Sequence, residues 1–250
     1  QMYARHVLVT AFALGLGVSA RAYDVNENFS IGATLAGAVQ CQEVAEGGDA
    51  TDGCRGAVPL QLELSLRPTG ADELFVKLGF AAGKALNSAS PFVLAPWAAD
   101  LEDDVEDING RNRDHLLAAW YRHTFAWAGE GSLATSFGIL DATDYLDGNE
   151  YANDEYGQFM NEAFVNAGTY GLPSYDTGAA VEWQGGAWSA SALAMNVGEN
   201  DDGSHYDFWG LQAGYQAETG FGTGHYRFIV TGASRDFLDP EGVDQEPRLG

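Results

Sequence analysis

The sequence predicts an all-β chain, an antiparallel barrel whose strands cross a membrane. Three observations carry this: apolar and polar residues alternate along short segments, the links between segments run long and short by turns, and after the first two dozen residues no continuous apolar stretch remains. The 250 residues are 46% hydrophobic and 12% aromatic, with 32 glycines and only 19% charged residues, a mixture that suits strands and turns better than helices.

Nine segments have strand length and pattern: 29–43, 57–67, 73–86, 116–128, 132–140, 177–184, 187–198, 205–218 and 222–233. In the second, Val58, Leu60, Leu62, Leu64 and Leu66 share one face, while Gln61, Glu63, Ser65 and Arg67 share the other. One face therefore suits hydrocarbon and the other water. The third sets Leu74, Val76, Leu78 and Phe80 against Phe75, Lys77, Gly79 and Ala81, and the ninth sets Tyr226, Phe228 and Val230 against His225, Arg227 and Thr231. Alternation of this kind also fits a soluble sandwich.

The links discriminate further, because membrane barrels alternate short periplasmic turns with longer outer loops. Tight links fall at 68–72, 129–132, 185–186 and 219–222, and longer ones at 44–56, 87–115, 141–176 and 199–204, so the tight turns share one rim. Acidic runs at 100–107 and 199–202 place the long links in outside water. Trp120, Tyr121, Phe125, Trp127, Trp183, Trp188, Tyr206, Phe208, Trp209 and Tyr215 lie near strand ends, where interfacial girdles form. Nine is an odd count, so the reading requires a barrel completed beyond Gly250, since single-chain bacterial barrels use an even number.

Lys and Arg total 12 against 36 Asp and Glu, a formal net charge of −24 that repels phosphate backbones and excludes nucleic acid as a partner. The acidity fits a solvated surface or a role in selecting cations or neutral solutes. A weakly basic start at Gln1–His6, an apolar stretch Val7–Ala20 and the small-residue site Ala20-Arg21-Ala22 read as a signal peptide over 1–22, leaving 23–250 as the exported part. Gln1 ahead of the plausible initiator Met2 reads as the mark of a translated fragment. In an oxidising compartment Cys41 and Cys54 fit a disulfide closing one loop, with two free thiols as the alternative; a metal site needs more ligands than these.

The segment 139–176 is the most distinctive. Gly138-Ile139-Leu140-Asp141, then Asp144-Tyr145-Leu146-Asp147, Tyr151-Ala152-Asn153-Asp154-Glu155 and Gln158-Phe159-Met160-Asn161 together resemble the sequence signature of the carbohydrate-selective, OprB-like porins. The resemblance implies a barrel of about sixteen strands, of which this chain holds the N-terminal part, in the size class that leaves an aqueous channel. It also implies that the third long loop, with a stretch around Asp154 to Phe164 that suits a helix, folds into the lumen as a constriction. Its candidate residues are Asp144, Asp147, Asn149, Glu150, Asn153, Asp154, Glu155, Gln158 and Asn161, which offer hydroxyl partners beside Tyr and Phe faces. Asp and Asn here also suit the simpler task of capping turns. Clustered oxygens at Asp144, Asp147, Asn149, Glu150 and Asp154 admit calcium, although the spacing is not that of an EF-hand, and no other cofactor or metal is expected. By alternation Glu63, Arg67, Lys77, Arg122, Glu182 and Arg227 face the pore as its wall.

The expected function is passive diffusion of sugars and small hydrophilic solutes across a bacterial outer membrane, reached by Sec-type export, with lipid around the barrel and association into homo-oligomers left open. A general or cation-preferring channel is the nearest alternative, and a secreted soluble glycan-binding β-protein a more distant one. No enzyme is expected: His115, His123, His205 and His225 are scattered, and no serine sits in a nucleophile motif.

Overall fold

The computed structural model describes residues 9–44, 52–86, 105–127, 131–149, 151–159, 164–167, 170–198, 205–235, 237–238 and 244–245. Among these, ten strands form one antiparallel sheet in chain order: β1 (Val9–Asn26), β2 (Phe29–Val44), β3 (Gly53–Leu66), β4 (Asp72–Ala82), β5 (Leu116–Trp127), β6 (Gly131–Leu140), β7 (Asp176–Gly185), β8 (Trp188–Val197), β9 (Tyr206–Thr219) and β10 (Gly222–Ala233). A separate two-stranded pairing joins Phe237–Leu238 to Asp244–Gln245. Among the described residues β1 and β10 are the edges of the main sheet, and no pairing joins them.

Nine of the ten strands match the nine segments read from the sequence. β1 is the difference, because the apolar stretch read as part of a signal peptide lies in a strand paired from Val9↔Val44 to Asn26↔Phe29. Its sequence explains the ambiguity: Phe12, Leu14, Leu16 and Val18 alternate with Ala13, Gly15 and Gly17, so one stretch is both continuously apolar and strand-periodic. The described sheet thus has ten strands where the sequence predicts nine, the additional one lying over the segment read as a signal peptide.

The rhythm of links holds in three dimensions. β1–β2, β3–β4, β5–β6, β7–β8 and β9–β10 join through tight turns on one rim, and the intervening links are longer on the other. The two-residue turn between β7 and β8 needs Gly186, whose φ of 57° lies in the left-handed region.

Strand register sorts the side chains onto two faces. The row Leu66↔Leu74↔Tyr121↔Phe137 and its neighbours place Leu35, Val58, Phe80, Val181, Trp209 and Leu211 on one face, where all six are exposed. A face with this many exposed large apolar side chains is of the kind that meets a partner or an apolar phase. Near the tight turns it becomes aromatic: one register row carries Trp127, Trp188, Tyr215 and Tyr226, and the next carries Phe125, Trp183 and Phe228. Trp120, Tyr206 and Phe208, read as girdle residues, instead point to the other face. Tyr206 and Phe208 are buried there, since alternation puts them opposite Trp209 and their neighbours are loop residues.

That other face is covered by the long loops, and its packing shows how the sheet bends. The start of the 141–175 loop, through Tyr145 and Leu146, packs with Leu193, Met195 and Phe208 of β8 and β9. Ten residues on, Tyr156 packs against the buried cluster that Ala36, Ala38 and Ala57 of β2 and β3 form with Ala85. On a flat sheet seven strand intervals would separate β9 from β2 by about 34 Å, close to the roughly 35 Å that ten residues reach when fully extended. This stretch is turned rather than extended, so the sheet must curl around the loop.

Candidate functional site

Charged side chains form a band on the concave wall. Glu63 and Lys77 stand opposite each other on β3 and β4, with Lys77 Nζ 3.8 Å from Glu63 Oε1. Arg67 Nε lies 3.3 Å from Glu73 Oε1 nearer the tight turns. Arg122 of β5 reaches Glu182 of β7 at 2.7 Å, bridging β6, which carries only Ala134 and Ser136 at those levels. Five of the six sequence-predicted wall residues thus enter this band of paired charges. Arg227 also faces inward, but it stands exposed on the edge strand β10, opposite Gly214.

The 141–175 loop crosses in front of this wall. Its two limbs are tied at the base, where Ala142 N–H donates to Pro173 O at 3.0 Å and Asp141 accepts from Thr143 N–H at 3.0 Å and Ser174 Oγ at 3.1 Å. A short 3-10 turn at Ala142–Asp144 follows. Asp147 N–H then donates to Gln212 Oε1 of β9 at 2.9 Å, and Asp147 Oδ2 accepts from Ala167 N–H at 2.8 Å, pinning the loop to the wall and to its own return limb.

Much of the predicted constriction set is consumed in holding the loop. Asn149 accepts from Tyr151 N–H at 3.0 Å, Gln158 accepts from Asn153 N–H at 2.7 Å, and Asp154 Oδ1 caps the turn at Tyr156 and Gly157 at 2.7 and 3.0 Å. Of the region expected to be helical around Asp154 to Phe164, residues 155–158 form a turn closed by Asp154, and Phe164 is in 3-10 conformation. Glu150 and Asn161 lie outside the described residues.

Among the described loop acids, Asp144 and Glu155 are the two whose carboxyls feel the charge of Lys77 on the wall. Asp144 keeps its own surface open to water while protein encloses it at longer range. That enclosure first, then the charge of Asp141, with Glu63 and Glu182 beyond, outweigh Lys77 and raise its carboxyl to about 7. Enclosure likewise raises Glu155, reinforced by Asp141 and Asp154 and opposed by Lys77. Burial pushes the Tyr145 phenol up to about 12. The described residues contain no group of three or more His, Cys, Asp or Glu placed to hold a metal ion, and Asp147 and Asp154, both considered for calcium, already accept amide protons.

Cys41 and Cys54 are disulfide-bonded across β2 and β3, at directly opposed positions with Cα atoms 4.1 Å apart. They close the first long link at its base.

The sequence reading missed a second anchored loop. Within residues 105–115 the acids Glu106, Asp107 and Asp114 are exposed, but Val105 and Ile108 are buried, and Asn109 Nδ2 and Arg111 Nε both donate to the buried carboxylate of Asp176, at 2.9 and 3.0 Å. Gly198 N–H adds a third donor at 2.7 Å, and Arg111 also reaches Asn196 O at 2.8 Å. One carboxylate at the start of β7 thereby fastens three long links together. The polar run Asp107 to Asp114, with Gly110 inside it, was the available signal; acidity drew attention to the stretch before it. The expected water-facing residues 100–104 and 199–202 lie outside the described residues.

No family model matches the chain, and no solved structure matches it. An uncharacterized protein of Aquifex aeolicus (strain VF5) is 39% identical over 112 residues, which are 44% of this chain and 35% of that relative. The matched part thus spans about a third of the relative's length.

Proposed function

We propose that this chain forms part of the wall of an outer-membrane channel through which carbohydrates and other small hydrophilic solutes diffuse passively. One observation carries the reading: the 141–175 loop runs along a concave, charged face from β9 to β2 and β3, while the opposite face is continuously apolar. An apolar exterior with an aromatic rim suits lipid, and a polar interior narrowed by a loop suits selective passage. The sheet as described is open, and an open edge in lipid leaves backbone groups unsatisfied, so the proposal includes closure into a porin-sized barrel of about sixteen strands.

Solute choice is tested by liposome swelling with the full-length protein. Faster entry of monosaccharides than of amino acids of similar size is the expected outcome; equal entry would leave a general channel. Deleting residues 149–161 should raise single-channel conductance, and unchanged conductance would count against the loop as a constriction. A cation-preferring channel is the second reading, favoured by the loop acids Asp144 and Glu155, whose carboxyls feel Lys77 of the charged wall. The soluble glycan-binding reading requires the apolar face to meet water, so recovery of the native protein without detergent would support it and sink the channel.

A further inference from the structure

We propose that Phe75 and Trp120 form a contact platform for ring-shaped polyols, on which a sugar of pyranose size lies flat while its hydroxyls reach charged pairs on both sides. The proposal rests on the channel reading and names the feature of the solute that the wall would recognise.

Phe75 of β4 and Trp120 of β5 are directly opposed in register, with ring centroids 4.8 Å apart and planes 20° from parallel. Both point inward, since their neighbours Leu74 and Tyr121 belong to the apolar outer face, and both are half-buried, Trp120 packing in addition against the buried cluster that holds Tyr145 and Leu146. Their register row is otherwise small: Ser65 and then Ser30 lie beyond Phe75, and Gly138 and then Gly178 beyond Trp120. Trp120 therefore backs the Phe75 ring from the side of the core, and Phe75 turns its other side to the low stretch of wall at Ser65 and Ser30.

What flanks the rings is polar and carries both signs of charge. One row toward the tight turns, Glu73 faces Arg122 across the same two strands, with Arg67 3.3 Å from Glu73. One row the other way lies Lys77, paired with Glu63. Successive inward positions are about 6.8 Å apart along a strand, so groups at both ends of a small flat ring have a donor and an acceptor within reach. Next to the platform, Arg67, Glu73, Arg122 and Thr124 line a groove of about 320 Å³ that continues to Asn28 and Thr69 at the rim, within the size range of small-molecule sites.

This chemistry separates solutes that simple size does not. A cyclic sugar presents C–H-rich ring faces to an aromatic surface and hydroxyls at its edge to carboxylates and guanidinium groups. An acyclic alditol has comparable mass and hydroxyls but no fixed face. An amino acid has neither the ring nor the neutral edge.

The test uses the full-length protein in planar bilayers, reading the block of ion current by glucose and by sorbitol. The wild-type channel should be half-blocked by glucose at a concentration about fivefold lower than by sorbitol, the scale of one aromatic contact. The double variant Phe75→Leu/Trp120→Leu should lose the difference, whereas Phe75→Tyr, which keeps the ring, should retain it. Equal blocking by the two solutes in a conducting wild-type channel would overturn the platform and leave the channel standing. A folded protein with no conductance would remove the channel reading and the platform with it. If the double variant does not fold, judged by its migration on unheated gels, the wild-type comparison and Phe75→Tyr still decide.

Discussion

Arg111 and Asp176 meet at 3.0 Å across 65 positions of the chain, and the carboxylate they share with Asn109 and Gly198 is 1% exposed. A buried carboxylate with this many donors does not tolerate removal, because each donor is then left without its partner. Arg111, at 30% exposed, recovers some hydration, which reduces the penalty. Asp176→Ala should therefore cost about 2–3 kcal/mol. A lower temperature for conversion of the compact gel band, together with new protease cuts between 105 and 115, is the expected result. Asp176→Asn keeps the shape and should cost less.

The seat of the 141–175 loop on β9 gives a second prediction. A Cβ added to Gly210 would stand 2.3 Å from Leu146 Cδ1, and Leu146 is fully buried, with no free space to swing into. Gly210→Val should cost about 1–3 kcal/mol by overpacking. Gly220, in the tight turn between β9 and β10, has nothing within 4 Å of such a Cβ, and Gly220→Ala should shift stability by no more than about 0.5 kcal/mol. The pair is compared by thermal conversion on gels.

These two sites mark how far the sequence could be read. Strand positions were legible because period-two alternation is local: the apolar face from Val58 to Leu66 is recognisable without reference to any partner strand. The charged wall was legible for the same reason, since parity put Glu63, Lys77, Arg122 and Glu182 on one side. Their pairing was not, because Arg122 meets Glu182 across an intervening strand whose small residues are informative only once the register is known. Asp176 was invisible as a hub, being one acid among 36 with donors 22 and 65 positions away. The loop acids were legible as a group by composition, but only the geometry shows that Asp154 caps a turn while Asp147 ties the loop to its return limb.

In the channel proposed above, Asp144 would make the charge of the concave face depend on pH near neutrality. Its carboxyl is raised from 3.8 to about 7 by enclosure and by Asp141, with Glu63 and Glu182 adding to the shift and Lys77 opposing it. The sign follows from linkage: the folded state holds this proton more tightly, so its contribution to stability is full below 3.8 and is lost as pH rises toward about 7. In the channel, raising the pH from about 6 to about 8 ionises the group and should strengthen preference for cations, read as a shift in reversal potential under a salt gradient. Asp144→Asn should flatten that step. A step of unchanged size in the variant would assign it to another group, with Glu155 the next to test.

The apolar face offers the sharpest test of where the sheet resides. Leu211 on β9 is 53% exposed and sits in a register row with Ala192 and Val230, away from both rims. On a protein surrounded by water, Leu211→Arg is an ordinary surface change worth at most about 0.5 kcal/mol. On a barrel surrounded by lipid, the same guanidinium must enter hydrocarbon near the middle of the band, at about 2–4 kcal/mol. Gln216→Arg, on the concave face of the same strand, is the matched control, since that position meets polar surroundings in either case. Folding yield into lipid vesicles should fall for Leu211→Arg and hold for Gln216→Arg. Equal yields for the two would mean that the outer face does not meet a bilayer, whatever passes along the inner one.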